Sequence, residues 1–149
     1  MKSLLLASVF AAASAAFAQT ASLSADNTSL APSGGTVALK AAASYDATPG
    51  ALGWEIALPA DWTLVSVTGP NVPSIAPDAG AAGTLEFAYT NIPAERAEFT
   101  VLVRYPANTT TAAATPTVLF RGGGKLTTVT PPAVQMRAPN IDTARRARN

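Results

Sequence analysis

Nine carboxylates, with no histidine and no cysteine, define the catalytic chemistry open to this 149-residue chain. Without imidazole or thiol the usual nucleophile–base pairs and most transition-metal sites have no ligands. Acid–base work would fall to side chains such as Glu55, Glu86 and Glu98, yet each stands out of phase with the apolar residues of an alternating stretch and is expected to face solvent. A glycosidase would need two of them about 5 to 10 Å apart across a cleft. Asp26-Asn27, Asp46 and Asp78 stand singly and read as turn residues, because a calcium loop needs several oxygens converging from one short segment. Arg96 and Arg104 read as surface partners of Glu95 and Glu98. The residue inventory therefore predicts no enzyme, no bound metal and no cofactor.

Aromatic rings are the remaining chemistry. A sugar-binding face needs flat exposed rings with polar neighbours, and Trp54, Trp62, Tyr89 and Tyr105 are the rings to weigh. Trp54 shares its phase with Leu52, Ile56 and Leu58, which places it in a core. Trp62 follows Pro59 and sits beside Asp61 at a strand entrance, where it either caps the end of the fold or stays partly exposed. In the exposed case Trp62, Asp61 and Tyr89, with the loop over residues 70–83, are the candidate binding residues.

The elements that must position these rings are strands. Helical periodicity is almost absent after residue 18, and short runs of Val, Leu, Ile, Thr, Phe and Tyr alternate with Gly, Pro, Asn and Asp clusters. The expected strands are ASLSADNTSL in two pieces around Asp26-Asn27, TVALKAAASY, ALGWEIAL, WTLVSVT, TLEFAYT, AEFTVLVRYP, PTVLFR and KLTTVT. The last two are joined by a hairpin turn at Gly122-Gly123-Gly124. GPNVPSIAPDAGAAG reads as a surface excursion, NTTTAAATP (108–116) as a flexible connection, and Pro131-Pro132 as the close of the domain. About eight strands with one apolar face each must pair those faces, which predicts an all-β antiparallel sandwich.

LSADNTSLAPSGGTVALKAAASY resembles the opening of bacterial immunoglobulin-like modules, in which an edge strand and a Gly-containing turn lead into an alternating second strand. Residues 51–105 resemble cohesin-like domains of the carbohydrate-binding-domain-like superfamily, through WTLVSVTGP, then GTLEFAYTNIPA, then EFTVLVRY. The order Leu58-Pro59-Ala60-Asp61-Trp62 departs from the Asp-Pro and Leu that cohesins usually carry before this segment. The resemblance implies an Ig-like or cohesin-like β-sandwich, a fold shared by scaffold, adhesion and carbohydrate-binding modules.

The chain ends carry their own signals. MKSLLLASVFAAASAAFAQ has a basic start at Lys2, an apolar run and a small-x-small close at Ala16-Phe17-Ala18, the pattern of a signal peptide helix cleaved after Ala18. Cleavage removes Lys2 from the ten basic residues and none of the nine acids, leaving nine of each. A mature chain near neutrality gives no electrostatic reason to expect nucleic acid or an anionic membrane as partner. The expected organisation is a signal peptide over 1–18, one sandwich domain over 19–135 and a polar, basic tail over 136–149 with Arg145, Arg146 and Arg148. No second apolar segment follows, so no membrane span is expected in the mature protein. Together these features predict a bacterial, exported module that is periplasmic, cell-surface or secreted. Its expected role is structural, adhesive or protein-assembling at the cell envelope, with a protein or a polysaccharide as partner. The alternative is a carbohydrate-binding module using Trp62 and the 70–83 loop.

Overall fold

The computed structural model describes residues 18–139; residues 1–17 of the expected signal peptide and 140–149 of the expected basic tail lie outside these. Nine strands follow in order: β1 (Gln19–Ala25), β2 (Gly35–Tyr45), β3 (Ala51–Ala57), β4 (Thr63–Thr68), β5 (Thr84–Ala88), β6 (Arg96–Tyr105), β7 (Thr111–Gly122), β8 (Lys125–Val129) and β9 (Val134–Arg137). They form two antiparallel sheets, one ordered β1-β2-β6-β4 and the other β5-β3-β7-β8, with β9 also on β7. No helix occurs among the described residues.

Alternation explains why the sheets face each other. In β2, Val37, Leu39, Ala41, Ala43 and Tyr45 are buried, and in β6 Ala97, Phe99, Val101, Val103 and Tyr105 are buried. Leu52, Trp54 and Ile56 of β3 and Val118 and Phe120 of β7 close on them from the other sheet. Burial of these side chains, with each Val, Leu, Ile and Phe stabilising by about 1.5–3 kcal/mol, holds the layers together without a disulfide. No polar or charged residue is buried among those described.

β1 ends at Ala25, before the expected break at Asp26-Asn27, and the chain then changes sheets. Ser29 bridges Arg137 of β9 in parallel, with Leu30 N–H donating to Arg137 O at 2.9 Å and Arg137 N–H to Thr28 O at 2.9 Å. The chain thus enters the sandwich where Gln19 lies opposite Tyr45, and β9 leaves it where Arg137 lies opposite Thr111, at the other end of the strands.

Two expectations are corrected. Residues 108–116 are not a flexible connection: Thr111–Ala114 pairs with β9, and Thr115–Pro116 continues the ladder against Ala57 and Ile56. Pro116 is tolerated inside β7 because its nitrogen faces the gap between β9, which ends its pairing at Ala114, and β8, which begins at Val118. The sheet also does not close at Pro131-Pro132, since β9 follows them and reaches Arg137, two residues past the expected domain limit of 135. Val134-Gln135-Met136-Arg137 does alternate, but four residues are the lower limit of a readable strand and they follow a Pro-Pro pair that reads as a stop.

Candidate interaction surfaces

Trp62 is 1% exposed. A turn positions it: Trp62 N–H donates to Pro59 O at 3.2 Å, and Asp61 takes the left-handed conformation (φ 67°) that swings the following ring inward. The indole packs on Tyr105 at 5.2 Å between centroids and 30° between planes. The Tyr105 hydroxyl in turn accepts from Ala31 N–H at 2.9 Å, tying the 31–34 turn to the same end. Of the two roles the sequence leaves open for Trp62, the structure shows capping. The ring offers no face to a sugar.

Tyr89 is also buried, with its ring edge toward Phe99 at 6.4 Å and its hydroxyl donating to Asn71 O at 2.6 Å. Burial, and next the proximity of Tyr45, push its hydroxyl well above the usual tyrosine range. Tyr45 is raised by burial as well, and its hydroxyl donates to Pro93 O. Each tyrosine therefore pins one loop to the sandwich. Trp62 meets Tyr105 at one end of β6, whereas Tyr89 meets Phe99 six residues earlier, about 20 Å along a strand. Asp61 is exposed at its turn. The three expected binding residues do not share a surface.

The 69–83 loop is bound to both sheets. Asn71 continues the β4 line against β6, its N–H donating to Glu98 O at 3.0 Å and its Oδ1 accepting from Glu98 N–H at 3.1 Å. Ile75 and Ala88 exchange both backbone bonds (3.0 and 2.9 Å) along the outer edge of β5. Leu64 N–H donates to Ala81 O at 2.8 Å and Gly80 N–H to Leu64 O at 2.7 Å, covering the outer edge of β4. Local sequence could not show this, because each bond joins residues far apart in the chain. Val72 and Ile75 remain exposed on the loop.

On the β1-β2-β6-β4 face, Glu98 Oε1 lies 2.9 Å from Lys40 Nζ and 3.2 Å from Arg96 Nη2. The hydrogen bond from Lys40 is the leading cause that holds the Glu98 carboxyl below its usual range; desolvation opposes it, and the charges of Arg96 and Lys40 with a hydrogen bond from Arg96 add to it. The expected pairing of Arg96 with Glu98 is present; Arg104 and Glu95 form no ion pair among the described residues, and Lys40 takes the second place. On the β5-β3-β7-β8 face, Glu55 and Glu86 stand directly opposite each other in register. A recess of about 330 Å³ near β9 is lined by Thr28, Thr111, Gln135, Met136 and Arg137, with no carboxylate to pair the cation. No group of three or more potential metal ligands occurs among the described residues, and no helix there is long and apolar enough to cross a membrane.

No protein-family model matches the chain, and no curated protein does. Solved structures do resemble it. A non-cellulosomal cohesin from the hyperthermophilic archaeon Archaeoglobus fulgidus aligns with a TM-score of 0.55 at 13% identity, over 85% of this chain and 96% of the cohesin. The full-length major pilin SpaD from Corynebacterium diphtheriae aligns with a TM-score of 0.54 at 16% identity, over 78% of this chain and 35% of the pilin. The likeness at these identities is one of fold. Strand order, layer pairing and these neighbours together make the described chain a cohesin-like, all-β antiparallel sandwich.

Proposed function

We propose that this protein is an exported, non-enzymatic module that joins or holds other proteins at a bacterial cell envelope, in the periplasm, on the surface or after secretion. The observation that carries the reading is where the aromatic chemistry goes. Trp54, Trp62, Tyr89 and Tyr105 are all at most 9% exposed, so the rings a sugar site would use are spent on the core. What is left for recognition is the two outward sheet faces, their edges and the rim of the 69–83 loop, surface open to a protein partner. The cohesin and pilin neighbours support an assembly or adhesion role by analogy of fold. The leader-like residues 1–18 support export.

In-cell crosslinking followed by isolation of envelope fractions tests this. The expected result is a discrete crosslinked protein partner. Absence of any such partner, combined with retention of the purified protein on insoluble polysaccharide, would overturn the reading in favour of carbohydrate binding.

A further inference from the structure

In the recess beside β9 a cation stands among polar neighbours whose backbone is fixed. Its lining comes from three stretches of chain: Thr28 before the parallel bridge, Thr111 at the start of β7, and Gln135, Met136 and Arg137 of β9. Backbone bonds tie these stretches to one another. Arg137 N–H donates to Thr28 O and Leu30 N–H to Arg137 O, each at 2.9 Å, and Ala138 N–H donates to Thr110 O at 2.8 Å. The walls are therefore set before any ligand arrives, which spares part of the ordering cost of binding.

Register places the side chains. Because Ala138 and Thr110 carry a ladder bond, the neighbouring pair, Thr111 and Arg137, is the non-hydrogen-bonded kind, with Cα atoms about 4.5 Å apart and both side chains on one face. Gln135 shares that face two residues along β9. All three are exposed, whereas Met136 between them is turned to the core and 2% exposed. A guanidinium, a hydroxyl and a carboxamide thus stand together over an opening of about 330 Å³. Arg137 forms no ion pair among the described residues. Asp26, two residues before Thr28, is turned to β2, where its Oδ1 accepts from Ala38 N–H at 2.9 Å.

We infer that this recess is a carboxylate site, and that its ligand is an aspartate or glutamate side chain of a partner protein. A carboxylate has two oxygens that accept the guanidinium fork in a bidentate pair, and further lone pairs for donors such as the Thr111 hydroxyl and the Gln135 amide. One cation balances one carboxylate, whereas a phosphate carries close to two charges and would be left undercompensated. A sugar acid brings the same group, but Trp54, Trp62, Tyr89 and Tyr105 are all buried, so no ring is left to seat the sugar beside it. The inference rests on the proposed role in joining proteins and names a point of contact for it.

The test is a titration of the isotope-labelled full chain with acetyl-glutamate methylamide, followed through the amide resonances by NMR. Saturable shifts at Thr111, Gln135 and Arg137 are expected, and none from the uncharged acetyl-glutamine methylamide or from sodium chloride at equal ionic strength. Arg137→Gln is expected to weaken binding by about tenfold or more with an unchanged melting temperature, since the backbone of Arg137 and not its head group holds β9. Arg121→Gln, which alters an exposed arginine of β7 outside the recess, is expected to bind as the wild type does. In the crosslinking experiment, Arg137→Glu is expected to lose the partner that Arg121→Glu keeps. Shifts that do not saturate, that sodium chloride reproduces, or that persist in Arg137→Gln would overturn the site. Galacturonate binding as tightly as the glutamate probe would overturn the protein source, as would a partner retained by Arg137→Glu. Saturable binding of the glutamate probe by a wild type that crosslinks to no protein would overturn the proposed role, and with it the protein source, while the carboxylate site stands.

Discussion

Individual side chains here do structural work whose strength can be measured. Trp54 is 1% exposed, with its ring at right angles to Phe99 and centroids 5.7 Å apart. Truncation to alanine is expected to cost about 3–5 kcal/mol in urea unfolding, as for other buried aromatics. Trp54 Nε1 has no hydrogen-bond partner, so Trp54→Phe removes a buried donor along with the volume and should cost distinctly less than Trp54→Ala. Gly69 offers a second comparison. Its φ is 125°, and a Cβ there would stand 2.9 Å from Phe99 Cα, whereas Gly80 (φ 92°) has nothing within 4 Å. Both substitutions to alanine pay conformational strain of about 1–3 kcal/mol, but Gly69→Ala also forces β6 to move. Thermal melts should rank it clearly below Gly80→Ala. Tyr89 predicts a pH dependence. Its raised hydroxyl means that folding favours the protonated form, so this stabilisation is complete below the unfolded tyrosine pKa of about 10 and is lost as pH rises above it. Tyr45 acts in the same direction. Denaturant midpoints should therefore fall steeply in the alkaline range, and less steeply in Tyr89→Phe.

At the scale of elements, β3 and β5 carry a local conflict. Glu55 and Glu86 are directly opposed on the solvent side of the sheet, a like-charge placement that destabilises a pair of strands. Glu86→Lys should raise stability by about 0.2–1 kcal/mol, and added salt should shrink the gain. A variant no more stable than wild type at low salt would show that the two carboxylates avoid each other. Strands of this kind are readable in sequence because each face repeats every second residue: Leu52, Trp54 and Ile56 inward, Glu55 outward, as found. The same logic fails where side chains are small. Thr111 to Thr115 offers no large apolar residue to set a phase, and its strand character comes from β3 and β9 on either side. It fails again at Trp62, which stands one residue before β4. Alternation cannot assign a ring in a turn, and its burial is decided by Tyr105, far along the chain. The candidate binding set of Trp62, Asp61 and Tyr89 dissolves for this reason: sequence shows the residue types, while their grouping depends on which end of β6 each one meets.

The whole molecule is a closed core with its openings at the edges, and the path of the chain through it sets how it carries load. β1 enters beside Tyr45 and β9 leaves beside Thr111, at opposite ends of the strand axis. Tension applied between these points runs along the strands. The pairing of β1 with β2 then resists in shear, with register pairs from Gln19–Tyr45 to Ala25–Leu39 strained together and not peeled one after another. At the far end, the parallel bridge of Ser29 with Arg137 is loaded in the same way. Single-molecule pulling through positions 19 and 137 should thus give a higher rupture force than pulling through positions 118 and 129, where the β7–β8 ladder opens from its free end toward the turn one bond pair at a time. A sandwich threaded in this manner resists extension between positions 19 and 137 along the direction of its strands.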